Sequence, residues 1–172
     1  VDLDGTLFNT DHQISSRTLN TMHTMKEYGH CMVILTGRSS HSAIPRLLSI
    51  PEGVRLICSN GAYEYNREKR SIAWAHYIPA KVATDIRQQI LGLLPTASFG
   101  WESASGLIYE PEFLAQADDA DTLEQGGKHE PLINNDILKM FVRASGRKGG
   151  ELAVKLSGSL DGEVEISSSG AP

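Results

Sequence analysis

The chain has no apolar run approaching the roughly 20 residues that cross a bilayer, so no membrane partner is expected. It also lacks a basic excess. Sixteen Lys and Arg stand against 21 Asp and Glu, for a net charge of −5 and a pI near 5.7. That balance excludes nucleic acid as a general electrostatic partner. Cysteine is scarce, with two in 172 residues. Neither has the spacing of a disulfide framework or a metal site. Both lie in apolar runs, Cys31-Met32-Val33-Ile34-Leu35 and Leu56-Ile57-Cys58, so buried, reduced thiols and a cytoplasmic setting are expected. The six histidines (His12, His23, His30, His41, His76, His129) show no ligand spacing, which argues against a histidine metal site. No internal repeat is present. What remains, 40% hydrophobic and 22% charged residues, is the balance of a globular protein with a real core.

The richest stretch is the first, Val1-Asp2-Leu3-Asp4-Gly5-Thr6-Leu7-Phe8. Two carboxylates sit two residues apart where an apolar strand should end, and residues i and i+2 of a strand face the same way. Two like charges so close repel unless a cation or a shared proton lies between them. The pair suits attack by one carboxylate and proton transfer by the other; the plainer alternative is an Asx-turn pair closing a loop. Because position 1 is a Val already inside the apparent strand, residues are expected to precede it.

Strand and helix then alternate. Ser15 or Ser16 caps a helix through about Tyr28, with Leu19, Met22 and Met25 at helical spacing and Gly29 as its stop. Cys31–Leu35 reads as a fully buried parallel strand, Ser39–Leu48 as a helix weakened by Pro45, and Leu56–Cys58 as a third strand. Such β-α-β units predict a parallel sheet with right-handed crossovers. Ligands of such sheets bind beyond the carboxyl ends of the strands. Asp2–Thr6, Thr36–Arg38 and Ser59–Ala62 all follow strands on that side, which points to one site.

After Ala62 the pattern changes. Ala62–Asn66 and Ser71–Tyr77 read as a hairpin, and Pro79 opens an amphipathic helix with Val82, Ile86, Ile90, Leu93 and Leu94 on one stripe. Strands are expected near Ala97–Glu102, Gly106–Glu110, Leu138–Ala144 and Gly162–Ile166, with a helix from Gly149 to about Leu156. The acids Asp118, Asp119, Asp121 and Glu124 read as a solvated loop, and Lys139 as a candidate substrate contact.

These residues resemble the haloacid dehalogenase superfamily of phosphotransferases, in particular its Cof-type phosphatases with a large α+β cap. The resemblance rests on Asp2-Leu3-Asp4-Gly5-Thr6, on Thr36-Gly37-Arg38 after an apolar strand, and on Ser59-Asn60-Gly61-Ala62 about twenty residues later. It implies an α/β fold with a Rossmann-like core and an inserted cap. Residues 1–77 would be the first part of the core, 78–165 the cap and 166–172 the return toward the core. Asp2 would be the nucleophile and Asp4 the general acid and base, with Mg²⁺ held by the Asp2 carboxylate and the Asp4 backbone carbonyl. Thr36 and the Gly37 amide would bind the phosphoryl oxygens, although a capping role suits Thr36 too. Arg38 would bind substrate or pair with a surface acid; Asn60 would order the site or form a left-handed turn before Gly61. The family's remaining lysine and acidic motif follow the cap and are not found before Pro172: either they lie in a longer protein, the favoured expectation, or the chain is a natural fragment that has lost catalysis, and these 172 residues alone would then be inactive.

The implied activity is Mg²⁺-dependent hydrolysis of small phosphorylated metabolites, sugar phosphates first, through an aspartyl-phosphate. A phosphomutase would use the same pair but return the phosphoryl group to a bound sugar. A non-catalytic phosphate-ligand binding protein would bind without turnover.

Overall fold

The computed structural model describes residues 1–115, 135–160 and 164–168. The acidic stretch from Asp118 to Glu124, His129 and Gly162 lie outside the described residues. Contacts divide the chain into two compact units, Val1–His76 and Tyr77–Pro172.

The first unit is built on a four-stranded sheet in the order β1 (Val33–Leu35), β2 (Arg55–Cys58), β3 (Tyr63–Asn66), β4 (Ser71–Ala75). β1 and β2 are parallel; β3 and β4 form the expected antiparallel hairpin and pair back onto β2. Helix α1 (Ser16–Glu27) joins the N-terminal segment to β1. Its Ser15 cap accepts a hydrogen bond from the Thr18 N–H at 3.1 Å, satisfying one of the amides a helix start leaves open. The parallel pair with its helical connections bears out the α/β reading.

Several local expectations are corrected. The opening strand is not among them: Leu35 N–H donates to the Val1 carbonyl at 2.9 Å and Asp2 bridges Leu35 in parallel, and the chain then turns, with Phe8 N–H donating to the Leu3 carbonyl at 2.8 Å. Gly5, at φ 71°, supplies the left-handed residue this turn needs. The Cys31 run is not buried on both faces. β1 begins only at Val33, Ile34 points inward, and the next residue, Leu35, points to the opposite face and is 48% exposed. Cys31 is therefore exposed, whereas Cys58 is buried as expected. The Ser39–Leu48 helix is one turn, α2 (Ser40–Ala43), followed by a 3₁₀ turn over Ile44–Arg46, since Pro45 has no N–H to continue an α-helix.

The second unit packs helix α3 (Ala80–Leu93) and helix α5 (Gly149–Ser157) with a three-stranded antiparallel sheet. The strand order is β6 (Gly106–Tyr109), β5 (Ala97–Ser103), β7 (Lys139–Ala144). Phe99 and Trp101 on β5 share a face by the two-residue period of a strand. They join Ala83, Ile86, Ile90, Leu94, Leu152 and Leu156 in one apolar cluster. Leu93 lies off this stripe at 40% exposure, and Ala83 takes part instead. A smaller cluster gathers Leu107, Tyr109 and, from α4 (Pro111–Ala115), Phe113; Phe141 packs against it. The Tyr109 ring lies where a Cβ on Gly100 would stand, so that position must be glycine for the two strands to pair as they do. Residues 164–168 form no strand, although Val164 and Ile166 pack against the large cluster. Among the described residues no helix is long and apolar enough to cross a membrane.

Candidate active site

Parallel pairing of β1 with β2 brings two loops side by side at one sheet end, and backbone hydrogen bonds stitch them together. Thr36 N–H donates to the Ile57 carbonyl (3.0 Å), Ser59 N–H to that of Arg38 (2.9 Å) and Asn60 N–H to that of Thr36 (3.1 Å). The Asp2–Leu35 bridge sets the opening segment beside the same loop. Asp2, Asp4, Thr36, Gly37, Arg38 and Asn60 therefore belong to one end of the first unit.

Asp4 and Arg38 meet directly across 34 positions of sequence. Arg38 Nε donates to Asp4 Oδ2 at 2.8 Å and Nη2 to Oδ1 at 2.7 Å, a two-pronged pair of the geometry guanidinium and carboxylate favour. Nη1 donates to Ser42 Oγ at 3.2 Å. The Arg38 hydrogen bonds hold the Asp4 carboxyl below the ordinary carboxylate value. Partial burial opposes them, and the charges of Arg38, His12 and Arg46 add to the lowering. Arg38 thus does pair with an acid, but one of the two motif carboxylates. The Asp2 carboxylate has no hydrogen bond or ion pair among the described residues.

Thr36 is buried, and its Oγ1 accepts the Arg38 N–H at 3.1 Å, leaving the hydroxyl proton to donate. A Cβ on Gly37 would stand 2.7 Å from Asn60 Oδ1, closer than such atoms approach. Glycine is what lets the Asn60 side chain lie against this loop. Asn60 itself is left-handed, φ 59°, and follows another left-handed residue, Ser59, φ 51°. The turn reading of Asn60 thus stands together with contact to the loop. Behind the loops, the buried Tyr63 hydroxyl accepts the Ser40 N–H at 2.7 Å, tying β3 to α2.

Three nearby residues escaped the sequence reading: His12, Ser42 and Arg46. His12 sits in a loop whose Asn9 side chain accepts the Asp11 and Gln13 amides, and it takes the left-handed conformation, φ 55°. That places its Nδ1 3.8 Å from Asp4 Oδ1. The only sequence signal was its nearness to Asp4 in the chain. Arg46 Nη1 donates to the Ser42 carbonyl at 2.8 Å, one turn behind it. His41 is exposed on α2, as expected of a solvated helix residue. Lys139 lies in the second unit opposite Glu102, with Nζ 5.3 Å from the Phe141 ring centroid.

An α/β sheet thus carries paired aspartates, a threonine loop and an asparagine turn at one strand end. The chain belongs to the haloacid dehalogenase-like hydrolase family, whose model matches residues 1–171. It is 30% identical over 93 residues to the 5-amino-6-(5-phospho-D-ribitylamino)uracil phosphatase YitU of Bacillus subtilis, covering 54% of this chain and 33% of that protein. A haloacid dehalogenase-like hydrolase from Bacteroides thetaiotaomicron superposes with a TM-score of 0.69 at 19% identity, over 94% of this chain and 63% of the other. BT1666 from the same organism, a phosphatase of this superfamily, is 25% identical with a TM-score of 0.52, over 62% of this chain and 38% of the other. The chain thus spans a third of the curated relative it matches and less than two thirds of these solved structures.

Proposed function

We propose that this chain carries the nucleophile end of a Mg²⁺-dependent phosphatase acting on small phosphorylated metabolites, sugar or polyol phosphates first. The observation that carries this reading is the convergence of Asp2, Asp4, Thr36 and Arg38 on one sheet end. The similarity to a phosphatase of a phosphoribityl compound supports the substrate class. Tyr77–Pro172 serves in this reading as the α+β cap that selects the substrate.

Asp2, whose carboxylate is not engaged elsewhere among the described residues, attacks phosphorus through one oxygen. The bond from phosphorus to the leaving alcohol breaks, and protonated Asp4 gives that oxygen its proton. In the second half the Asp4 carboxylate takes a proton from water, the resulting hydroxide attacks phosphorus, and Asp2 is released with phosphate. The Arg38 pairing favours Asp4 in the carboxylate form, which suits this hydrolytic half and opposes the protonated form that the first half requires. The Thr36 hydroxyl donates to a phosphoryl oxygen where charge rearranges.

The donor set suits a hard cation. Mg²⁺ takes oxygen ligands, often only one or two carboxylates with waters and substrate phosphate, and the Asp2 carboxylate and Asp4 carbonyl are oxygen donors. No group of three His, Cys, Asp or Glu that could hold a metal occurs among the described residues. When bound, Mg²⁺ would offset the repulsion between the Asp2 carboxylate and the phosphate anion.

The test is phosphate release from p-nitrophenyl phosphate with and without chelator, with Asp2→Asn beside the wild type. Turnover should need Mg²⁺ and fall by about a millionfold in the variant, as removal of a nucleophile does. Equal turnover by the variant would sink the reading.

A further inference from the structure

We propose that Arg46 reads a second negative charge on the substrate, a carboxylate or second phosphoryl group carried by the leaving alcohol. The inference rests on the reading of Asp4 as the proton donor, because that role puts the leaving alcohol, not the transferred phosphoryl group, beside Asp4.

The geometry gathers two guanidinium groups on this side and anchors both on one residue. Arg38 Nη1 lies 3.2 Å from Ser42 Oγ, and Arg46 Nη1 lies 2.8 Å from the Ser42 carbonyl oxygen. Ser42 is buried, so its two oxygens are fixed points. Arg38 spends its charge on Asp4, through Nε and Nη2. Arg46 has no carboxylate within ion-pair distance among the described residues. Its bond to Ser42 uses one of five N–H donors. Two guanidinium groups anchored on one serine, only one of them paired with a carboxylate, leave a cation that a further anion would stabilise. Arginine is the side chain whose planar fork fits carboxylate and phosphate in pairs of bonds.

The plainer role for Arg46 is to close the end of α2 by hydrogen-bonding its carbonyl. That role predicts no preference among ligands, and so the two are separable.

The experiment is binding calorimetry on the full chain in chelator, where no turnover occurs. Three ligands differ only at the far end of the alcohol: glycerol 3-phosphate, 3-phosphoglycerate and glycerol 1,3-bisphosphate. The wild type should bind one or both anionic compounds at least about tenfold more tightly than glycerol 3-phosphate, the effect of one charge-assisted pair. Arg46→Gln should erase that ratio, while Arg46→Lys should keep most of it. Which of the two compounds gains identifies the anion. Equal binding of all three by the wild type, a ratio that survives Arg46→Gln, or no binding of any of them overturns the proposal. Turnover of p-nitrophenyl phosphate, measured beside it, judges the catalytic reading separately. Charge-selective binding without turnover removes the catalytic reading and leaves Arg46 as the reader of a second anion that is no longer assigned to a leaving alcohol; turnover without selectivity removes the Arg46 inference alone.

Discussion

The two units of this chain are held together by different means. Val1–His76 has eight Lys and Arg against seven Asp and Glu; Tyr77–Pro172 has eight against fourteen. In the first unit polar links cross between elements. Arg55 on β2 and Trp74 on β4 both donate to Glu64 on β3, and Arg67 donates to the carbonyls of Pro51 and Leu47. Every non-glycine residue with positive φ among those described, His12, Ser59, Asn60 and Arg70, lies there too. The second unit has polar links as well, Arg87 to Glu110 and Arg143 to the Phe113 carbonyl, but its largest feature is an apolar cluster spanning α3, β5, β7 and α5 that includes Phe99 and Trp101. Left-handed residues and fixed charges cost stability and persist where the surrounding bonds over-determine them. Fixed charges occur in both units, but among the described residues the left-handed non-glycine positions all lie in the unit that carries the candidate site.

The chain's two tryptophans report on the two halves of this contrast: Trp74 is in the first unit and Trp101 in the second. The largest expected effect is in the cluster. Trp101→Ala, which empties a site only 2% exposed, should destabilise the second unit by about 3–5 kcal/mol. Denaturant unfolding followed by Trp74 emission checks whether the first unit is spared. A Trp74 transition displaced by the same amount would mean that the two units unfold as one, and the contrast would fail.

A smaller effect separates the site from the scaffold. Gly37→Ala puts a methyl group 2.7 Å from Asn60 Oδ1. The Asn60 side chain can turn away, so stability should fall by only about 1 kcal/mol. Inorganic phosphate, titrated by calorimetry, should bind about tenfold more weakly, since the donors of this loop are displaced. Adding Asn60→Gly, which suits the left-handed backbone there, should restore part of the affinity. No recovery would assign the loss to the loop itself rather than to the asparagine.

The smallest effect is that of acid. Asp4 is held below its ordinary 3.8, and Glu64 and Glu68 below 4.5, by Arg38, by Arg55 and by the Gly53 amide respectively. A carboxyl whose folded value is depressed adds stability that is complete above its unfolded value and is lost as pH falls through the folded one. Acidification below about pH 4.5 should therefore loosen the first unit. Trp74 emission should shift before that of Trp101, read alone in Trp74→Phe. A Trp101 signal that moves first would contradict this.

Much of this architecture was legible along the chain. The hairpin at Tyr63–Ala75, the Ser15 cap and the Ile86–Ile90 stripe follow from patterns a few residues long. The failures of burial share one cause. Leu35 and Cys31 sit in a run that reads as buried, but burial depends on what packs against each face, which no local pattern records. The Pro45 helix broke for a local reason, and the sequence had already flagged it.

The candidate site divides in the same way. Position after a strand, together with the family resemblance, selected Asp2, Asp4, Thr36, Gly37, Arg38 and Asn60, because a parallel sheet delivers the ends of its strands to one side. The tertiary structure alone decided which of them touch. Arg38 closes on Asp4, Asn60 lies against Gly37, His12 approaches Asp4, and Ser42 anchors two arginines. Most of these contacts join residues on separate loops, at separations set by the β1–β2 register and by left-handed turns. A sequence specifies such turns one residue at a time, but the distances between them exist only once the sheet has formed.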